Sequence, residues 1–302
     1  MNPLPPRFKR PTLLIVGCGD VGLRVVKLLR GRWRLLALTS SPQRCEFLRA
    51  AGVLPVVGDL DDARSLTGLA RLACAADAVL HLAPPPGHGD TDTRTARLLH
   101  TLARSGDGRV RRIVYGSTSG VYGDCAGAYI DETYPVNPTT DRARRRVDAE
   151  QQLRGFGRAF GVRVTLLRIP GIYAGDRVGG DPRDRVRRGT PVLADVDDVH
   201  TNHIHADDLA RACVAALHHG LAQRVVHACD DTDMKMGAYF DLAADLAGLP
   251  RPPRISRSKA AQQMSSMQLS FMSESRRLDN TRLKQELRLR LRYPTVAQGL
   301  LA

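Results

Sequence analysis

The chain has 302 residues, 43% of them hydrophobic, which is enough for one large domain with a smaller lobe. No run of about 18 apolar residues occurs, so we expect no membrane-spanning helix. Six cysteines without a Cys-x-x-Cys pair favour a reducing, cytoplasmic setting over a disulfide frame or a metal site. The net charge of +14 is mostly arginine, and since no nucleic-acid motif accompanies it, we interpret it as a solvated surface without a specific nucleic-acid partner.

Short apolar runs alternate with amphipathic segments of helix length through the first two thirds of the chain. The runs predict strands at Thr12–Val16, Arg34–Thr39, Val53–Val57, Asp77–Leu82, Val110–Gly116 and Val162–Ile169. The longer segments predict helices at Val21–Arg30, Asp92–Arg104 and Arg142–Phe160. Such alternation indicates parallel strands joined by right-handed crossovers.

One proline indicates how the strands are ordered. Pro55 lies in the third predicted strand and has no N–H for a ladder hydrogen bond, so this strand should lie at a sheet edge. The strand order 3-2-1-4-5-6 places it there. The sequence therefore predicts an α/β fold, a doubly wound parallel sheet of Rossmann type with a smaller C-terminal lobe.

A glycine-rich turn follows the first strand and opens the first helix. The turn Gly17–Gly22 has the spacing Gly-x-Gly-x-x-Gly, in the strand–turn–helix context that binds a dinucleotide. Gly17 permits the tight turn, Gly19 lets a pyrophosphate approach the backbone, and Gly22 lets the helix pack on the strand. Asp20 and Val21 lie between the second and third glycines, where we expect them to contact the cofactor.

The end of the second strand indicates which dinucleotide is preferred. Enzymes that use NAD usually carry an acidic residue about 20 residues past the turn, whereas this chain has no acidic residue from Leu38 to Arg44. Thr39, Ser40 and Arg44 suit a 2′-phosphate, so we predict NADP as the preferred cofactor and NAD as the second. Asp59 is a further candidate contact, with capping of the next helix as its alternative role.

The chain divides by composition into four parts. Residues 1–10 form a basic, proline-rich tail, and residues 11–170 carry the alternating pattern of the NAD(P)-binding domain. Residues 200–230 are expected to return to that domain. The irregular segments 171–199 and 231–302 are predicted to form the substrate-binding lobe.

Several further motifs give the chain a family resemblance over nearly its whole length. They are Gly58-Asp59-Leu60, His81-Leu82-Ala83-Pro84, Ser117-Thr118-Ser119-Gly120-Val121-Tyr122-Gly123, Asp131-Glu132, Asn137-Pro138, Arg168-Ile169-Pro170-Gly171-Ile172-Tyr173 and His205-Ala206-Asp207-Asp208-Leu209-Ala210. With the glycine turn, these motifs resemble the extended short-chain dehydrogenase/reductase family, in its NAD-dependent epimerase/dehydratase group. The block that ends in Val121-Tyr122-Gly123 is the most specific of them.

The resemblance implies roles for individual residues. Thr118 stands where the family has a hydroxyl that hydrogen-bonds the reacting oxygen of the substrate. The remaining positions correspond to family contacts with the dinucleotide, with Pro170 and Gly171 against the nicotinamide ring. These positions are Leu60, Leu82, Ala83, Pro84, Ser117, Pro170 and Gly171.

One departure from the family pattern affects catalysis. The family carries Tyr-x-x-x-Lys on the helix after the Asn137-Pro138 turn, and this chain has Arg142 and Arg146 at those two positions. Arg142 cannot replace a tyrosine acid/base, because an arginine side chain stays protonated at neutral pH. Tyr122 is the best candidate to replace the tyrosine as acid/base, and its alternative role is core packing. The nearby pair Asp131-Glu132 is a further candidate, and its alternative role is to anchor the backbone.

Two residues of a later segment are candidate substrate contacts. Asn202 and His203 precede His205, so two imidazoles share one face of a strand, but no third metal ligand accompanies them. We therefore assign Asn202 and His203 to the substrate and expect no metal. The arginines of Arg142–Arg146 are either a solvated face or a contact for an anionic substrate.

Two functions fit these observations. The first is an NAD(P)-dependent oxidoreductase or epimerase with an atypical active site, acting on a sugar nucleotide or a related carbonyl compound. The alternative is a catalytically inactive NADP(H)-binding redox sensor or regulatory protein, which the missing tyrosine and lysine favour. In either case we expect a small-molecule ligand and no membrane partner, and the chain is a monomer or a homodimer.

Overall fold

Seven of the strands pair side by side in one parallel sheet. The computed structural model describes residues 10–69, 75–104 and 110–302, so the predicted tail lies outside the described residues except for Arg10. The sheet order is β12-β7-β5-β4-β1-β2-β3. Its strands are β1 (Thr12–Val16), β2 (Arg34–Thr39), β3 (Leu54–Val57), β4 (Ala78–His81), β5 (Arg112–Thr118), β7 (Arg163–Ile169) and β12 (Arg224–His227). The predicted α/β fold class is confirmed.

The proline-containing strand lies at the edge, as predicted. Strand β3 ends the sheet beyond β2, and Pro55 is in register with Ala37. The six predicted strands each begin and end within two residues of an observed strand. Strand β12 extends the opposite end of the sheet by pairing in parallel with β7, so the segment that follows His219 returns to the sheet.

Helices cover both faces of this sheet. The helices are α1 (Asp20–Leu29), α2 (Cys45–Ala50), α3 (Thr93–Arg104), α4 (Asp141–Phe160), α5 (Pro182–Arg187), α6 (Ala206–His219), α7 (Met236–Leu246), α8 (Arg257–Gln263), α9 (Ser266–Phe271), α10 (Thr281–Gln285) and α11 (Val296–Leu300). Side chains alternate along β1, so Leu13 and Ile15 face the layer of α1 and α6, while Leu14 and Val16 face the layer of α3 and α4. All four side chains are fully buried. Within the described part of the chain, no helix is long and apolar enough to cross a membrane.

The smaller elements lie mostly beyond Pro170 and pair locally. They are β6 (Tyr129–Ile130), β8 (Gly171–Tyr173), β9 (Val192–Leu193), β10 (His200–Thr201), β11 (His203–His205), β13 (Met234–Lys235), β14 (Arg254–Ile255) and β15 (Arg277–Leu278). A separate apolar cluster holds this region together, and it includes Tyr173, Val192, Tyr239 and Phe240. The region packs at the carboxyl end of the sheet, where strands β5 and β7 end at Thr118 and Ile169.

Candidate functional site

The glycine turn leaves open space above an uncapped helix end. Gly17 has φ +90°, and a Cβ there would lie 2.3 Å from the Ala83 nitrogen, so only glycine fits. Gly19 precedes α1 without a side-chain hydrogen bond to cap the helix, and a Cβ on it would meet nothing within 4 Å. The N–H groups of a helix N-terminus attract anions. The turn therefore has the room and the donors for a pyrophosphate.

A cavity of about 400 Å³ extends from this turn along the ends of β2 and β3. Eight of the residues predicted to contact a dinucleotide line it, namely Thr39, Ser40, Arg44, Asp59, Leu60, Leu82, Ala83 and Pro84. Arg44 donates from Nη2 to the Cys18 carbonyl at 2.9 Å, which holds its guanidinium at the cavity wall. Asp59 Oδ1 also accepts from Asp61 N at 2.8 Å, and the 3₁₀ turn that follows is capped by Asp62, whose side chain accepts from Arg64 N.

Two more cavities continue the first along the carboxyl ends of the strands. The second, about 340 Å³, is lined by Gly17, Gly19, Asp20, Val21, Gly22, Leu82, Ser117, Thr118, Arg146, Pro170 and Arg177, among others. The third, about 270 Å³, includes Thr118, Arg142, Pro170, Gly171, Asn202 and His203 in its wall. The first two cavities share Gly17, Gly19 and Leu82, and the last two share Thr118 and Pro170. The three cavities are therefore continuous. The first two together are named the cofactor trough, and the third is named the substrate cleft.

Thr118 lies where the trough and the cleft meet. Its Oγ1 accepts a hydrogen bond from Gly120 N at 3.2 Å and caps a short 3₁₀ turn. Within the described residues, no protein acceptor takes up the hydroxyl hydrogen of Thr118. The hydroxyl is thus held in place while its proton remains available to a ligand oxygen.

The two arginines at the family's Tyr and Lys positions differ in their surroundings. Arg146 donates from Nη1 to the Tyr115 hydroxyl at 2.9 Å and to the Gly116 carbonyl at 2.7 Å, on the wall of the trough. Arg142 places its guanidinium 4.7 Å from the Phe271 ring centroid, on the wall of the cleft. No hydrogen bond or carboxylate partner of Arg142 is formed by the residues that the structure describes.

Tyr122, the candidate acid/base, is buried away from the trough. Its side chain is 1% exposed, and its hydroxyl accepts from Arg168 Nη1 at 2.7 Å and lies 2.5 Å from His227 Nε2. Burial raises the pKa of Tyr122 to about 12. Of the two roles considered for Tyr122, these contacts favour packing and contradict proton transfer to a ligand in the cleft.

A buried ion pair supports the Thr118 block from below. Arg168 donates from Nε and Nη2 to the two oxygens of Glu150, at 3.1 and 2.7 Å, and both side chains are at most 5% exposed. Ser117 Oγ donates to Glu150 Oε1 at 2.5 Å. Ser117, predicted to contact the cofactor, thus lines the trough and also joins this network.

The acidic pair after β6 serves the backbone. Glu132 Oε1 accepts from His227 N at 2.9 Å, and its other oxygen lies 3.3 Å from Arg282 Nε. Asp131 accepts from both the backbone and the side chain of Thr133. These contacts favour backbone anchoring, the second of the two roles considered for this pair.

Asn202 and His203 both reach the cleft, in different ways. Asn202 donates to the Arg276 carbonyl and accepts from Leu278 N, so its amide is used by the backbone. His203 stacks on Tyr239 at 3.8 Å between ring centroids. Burial lowers the pKa of His203 to about 3, so it is neutral at physiological pH.

The second imidazole of this strand has a structural role. His205 Nδ1 accepts from Asp207 N and caps α6. Among the described residues, no group of three His, Cys, Asp or Glu side chains is placed to hold a metal ion.

The sequence analysis missed several side chains that line the site. Glu274 accepts from Thr139 Oγ1 at 3.2 Å and from Arg276 Nη1 at 2.9 Å. Glu274 and Arg276 line the cleft together with Arg185 and Tyr239, and Arg177 lines the trough. Arg185 and Tyr239 lie on α5 and α7, two helices that were not predicted from the sequence, and the other three residues lie in loops.

The fold and the trough agree with the comparisons to known proteins. The profile of the NAD dependent epimerase/dehydratase family matches residues 13–229. The chain belongs to this family. It is 25% identical over 291 residues to protein YeeZ of Escherichia coli (strain K12), covering 93% of this chain and 95% of that protein.

Two further proteins resemble the chain. It is 28% identical over 250 residues to UDP-glucose 4-epimerase of Azospirillum brasilense, covering 69% of each chain. A solved structure from Silicibacter pomeroyi, described as a conserved protein of unknown function, superposes with a TM-score of 0.81 at 30% identity over 97% of both chains. The predicted family is therefore confirmed.

Proposed function

We propose that the chain is an NAD(P)-dependent oxidoreductase or epimerase that acts on a carbonyl group, or the corresponding alcohol, of a sugar nucleotide or related small molecule. One observation carries the proposal: the cofactor trough runs from the Arg44 end to Thr118 and opens there into the substrate cleft. The empty space at Gly19 and the uncapped end of α1 fit the pyrophosphate of a dinucleotide.

In this proposal, the chain binds and orients while the cofactor supplies the redox chemistry. A bound nicotinamide provides the hydride donor or acceptor. Thr118 donates a hydrogen bond to the reacting oxygen, and Pro170 and Gly171 form the wall beside it. Arg146 takes the position of the family lysine. The segments 171–199 and 231–302 form the lobe that holds the substrate.

The chemistry of the trough supports NADP over NAD. Arg44 lines the cavity beside Thr39 and Ser40, and a guanidinium with two neighbouring hydroxyls can hydrogen-bond a phosphate. An acidic side chain that would accept from a free ribose 2′-hydroxyl is missing from Leu38 to Arg44.

The cleft supports a substrate with an anionic group. Three arginines line it against one carboxylate, that of Glu274. Arg142 packs its guanidinium on the Phe271 ring and forms no hydrogen bond with the described residues, and the Nε atoms of Arg185 and Arg276 are buried without a hydrogen-bond partner among them. Guanidinium groups with unused donors favour carboxylate or phosphate ligands.

The proposal is tested by a substrate screen of the cofactor-loaded protein over UDP-sugars, other nucleotide sugars and small carbonyl acids. Nicotinamide absorbance follows net oxidation or reduction, and chromatography of the sugar products follows epimerisation, in which the cofactor is regenerated and the absorbance does not change. For any compound that reacts, Thr118→Val should lower kcat by at least about tenfold, because a donor to the reacting oxygen is lost. Thr118→Ser retains the hydroxyl and is the matched control. Equal kcat for Thr118→Val and the wild-type chain would contradict the assigned role.

One observation favours the second candidate, a dinucleotide-binding regulator without turnover. Arg142 occupies the position of the family tyrosine, and the buried Tyr122 does not replace it. The two candidates differ in the screen: a regulator binds NADPH and reacts with none of the compounds.

A further inference from the structure

The loop Ala174–Gly180 brings an arginine to the glycine turn. The loop follows β8 and is closed by hydrogen bonds from Ala174 N to the Gly180 carbonyl and from Gly180 N to the Arg177 carbonyl. A Cβ on Gly180 would lie 2.8 Å from Arg177 Cδ, so glycine at this position lets the arginine stem lie across the loop. The side chain of Arg177 then lines the same cavity as Gly17 and Gly19.

That cavity needs a positive charge if a pyrophosphate is to bind there. Its ionisable lining residues are Asp20, Arg146 and Arg177. Asp20 is the first residue of α1, so its carboxylate lies at the helix end that a pyrophosphate would approach, and two like charges repel. Arg146 is already bonded to Tyr115 and Gly116. The compensating charge therefore falls to Arg177.

The contacts of Arg177 leave its donors available. Its Nε is 3.2 Å from Asp20 Oδ2, an ion-pair distance without hydrogen-bond geometry, and this Nε is buried. In the described part of the chain, its guanidinium forms no hydrogen bond. Arg24 contrasts with it, because Arg24 is 11% exposed and contacts the carboxylates of Asp20, Asp176 and Asp207.

These contacts give the two arginines separate tasks. Arg24 bonds Asp176 at 2.5 Å and so ties the loop to α1. Arg177 is the next residue along the loop, and because its Nε faces Asp20, its two Nη groups keep their donors for a ligand. We infer that Arg177 binds the pyrophosphate of the dinucleotide, together with the N-terminus of α1. This inference rests on the proposed function.

The test is calorimetric titration of NADPH, NADH and adenosine into the wild-type chain, Arg177→Ala and Arg187→Ala. Arg187 lies in the following helix, pairs with Asp184 and lines none of the trough, so it is the matched control. We expect Arg177→Ala to raise the Kd of both dinucleotides about tenfold to hundredfold, as for the loss of a charged hydrogen bond. Adenosine has no phosphate, so its Kd should be unchanged, and Arg187→Ala should bind like the wild-type chain.

Asp20→Asn separates a ligand contact from a structural ion pair. If Arg177 binds the pyrophosphate, removing the Asp20 charge raises NADPH affinity, because a like charge is gone. If Arg177 only pairs with Asp20, the two variants weaken binding alike, and the inference is wrong. Equal NADPH affinity of Arg177→Ala and the wild-type chain also overturns it while the proposed function stands. A wild-type chain that binds neither dinucleotide overturns both.

Discussion

Alanine substitutions at Gly19 and Gly17 distinguish a glycine that leaves room for a ligand from a glycine that the fold itself requires. A methyl group at Gly19 meets no protein atom within 4 Å, whereas one at Gly17 meets the Ala83 backbone at 2.3 Å and also forces alanine into φ +90°. For Gly19→Ala, reduced freedom of the unfolded chain contributes about 0.4–1 kcal/mol of stability. A weaker N-cap costs about as much, so the free energy of unfolding should change by less than about 1 kcal/mol.

Gly19→Ala should weaken ligand binding, and Gly17→Ala should destabilise the fold. The Gly19→Ala methyl group enters the space assigned to the pyrophosphate, so the Kd for NADPH should rise at least about tenfold, since such overpacking costs about 1–3 kcal/mol. Gly17→Ala should instead lower the free energy of unfolding by at least about 1–3 kcal/mol. Urea denaturation and fluorescence titration measure both quantities. Gly155→Ala is the control, because a Cβ on this residue of α4 meets open space. It should keep NADPH binding and raise the free energy of unfolding by about 0.5–1 kcal/mol. Unchanged NADPH affinity of Gly19→Ala would show that the space above Gly19 does not hold the pyrophosphate.

Two further predictions concern stability. Glu150→Gln leaves the buried Arg168 without its counter-charge and should lower the free energy of unfolding, measured by urea denaturation, by about 3–5 kcal/mol. The double variant Glu150→Leu, Arg168→Met should recover much of that loss. A loss below about 1 kcal/mol for Glu150→Gln would contradict a buried ion pair. Acidification should also destabilise the chain, because burial lowers the pKa of five histidines that the unfolded chain protonates near pH 6.5, and lowers it furthest for three of them. They are His81 and His203, with pKa about 3, and His227, with pKa about 4. The stability that these histidines contribute is complete above pH 6.5 and is lost as the pH falls towards their pKa values in the folded chain. Asp230 acts in the opposite direction, because burial raises its pKa to about 7 and the folded chain then binds one proton more than the unfolded chain near pH 5. Near pH 5 the three histidines and Asp230 together make the unfolded chain bind about two protons more than the folded chain. The free energy of unfolding should therefore change by about 3 kcal/mol per pH unit, and a flat profile from pH 6.5 to 4.5 would contradict these pKa shifts.

The features that the sequence predicted are those with local physical causes. The turn Gly17–Gly22 was recognised because the strand, the tight turn and the helix start are adjacent in the chain. The edge position of β3 followed from the missing N–H of Pro55 alone. Thr118 was placed by the family resemblance of the block that ends in Val121-Tyr122-Gly123, and it lies in the trough.

The features that the sequence did not predict depend on contacts between distant residues. Tyr122 meets His227, which is 105 residues away, and this contact places its hydroxyl in the core instead of the cleft. Glu274 and Arg276 reach the cleft from a segment that has neither a repeat nor a motif. Arg177 comes to the glycine turn only because the loop after β8 folds back over α1.

Binding of a nicotinamide dinucleotide is the claim on which the rest of the account depends. The direct measurement is titration of the purified chain with NADPH and NADH, followed by nicotinamide fluorescence. We expect both to bind and NADPH to bind more tightly, because Arg44 and its neighbouring hydroxyls line the adenosine end of the trough. Tighter binding of NADH would contradict the assignment of the 2′-phosphate site. Binding of neither dinucleotide would contradict the central claim.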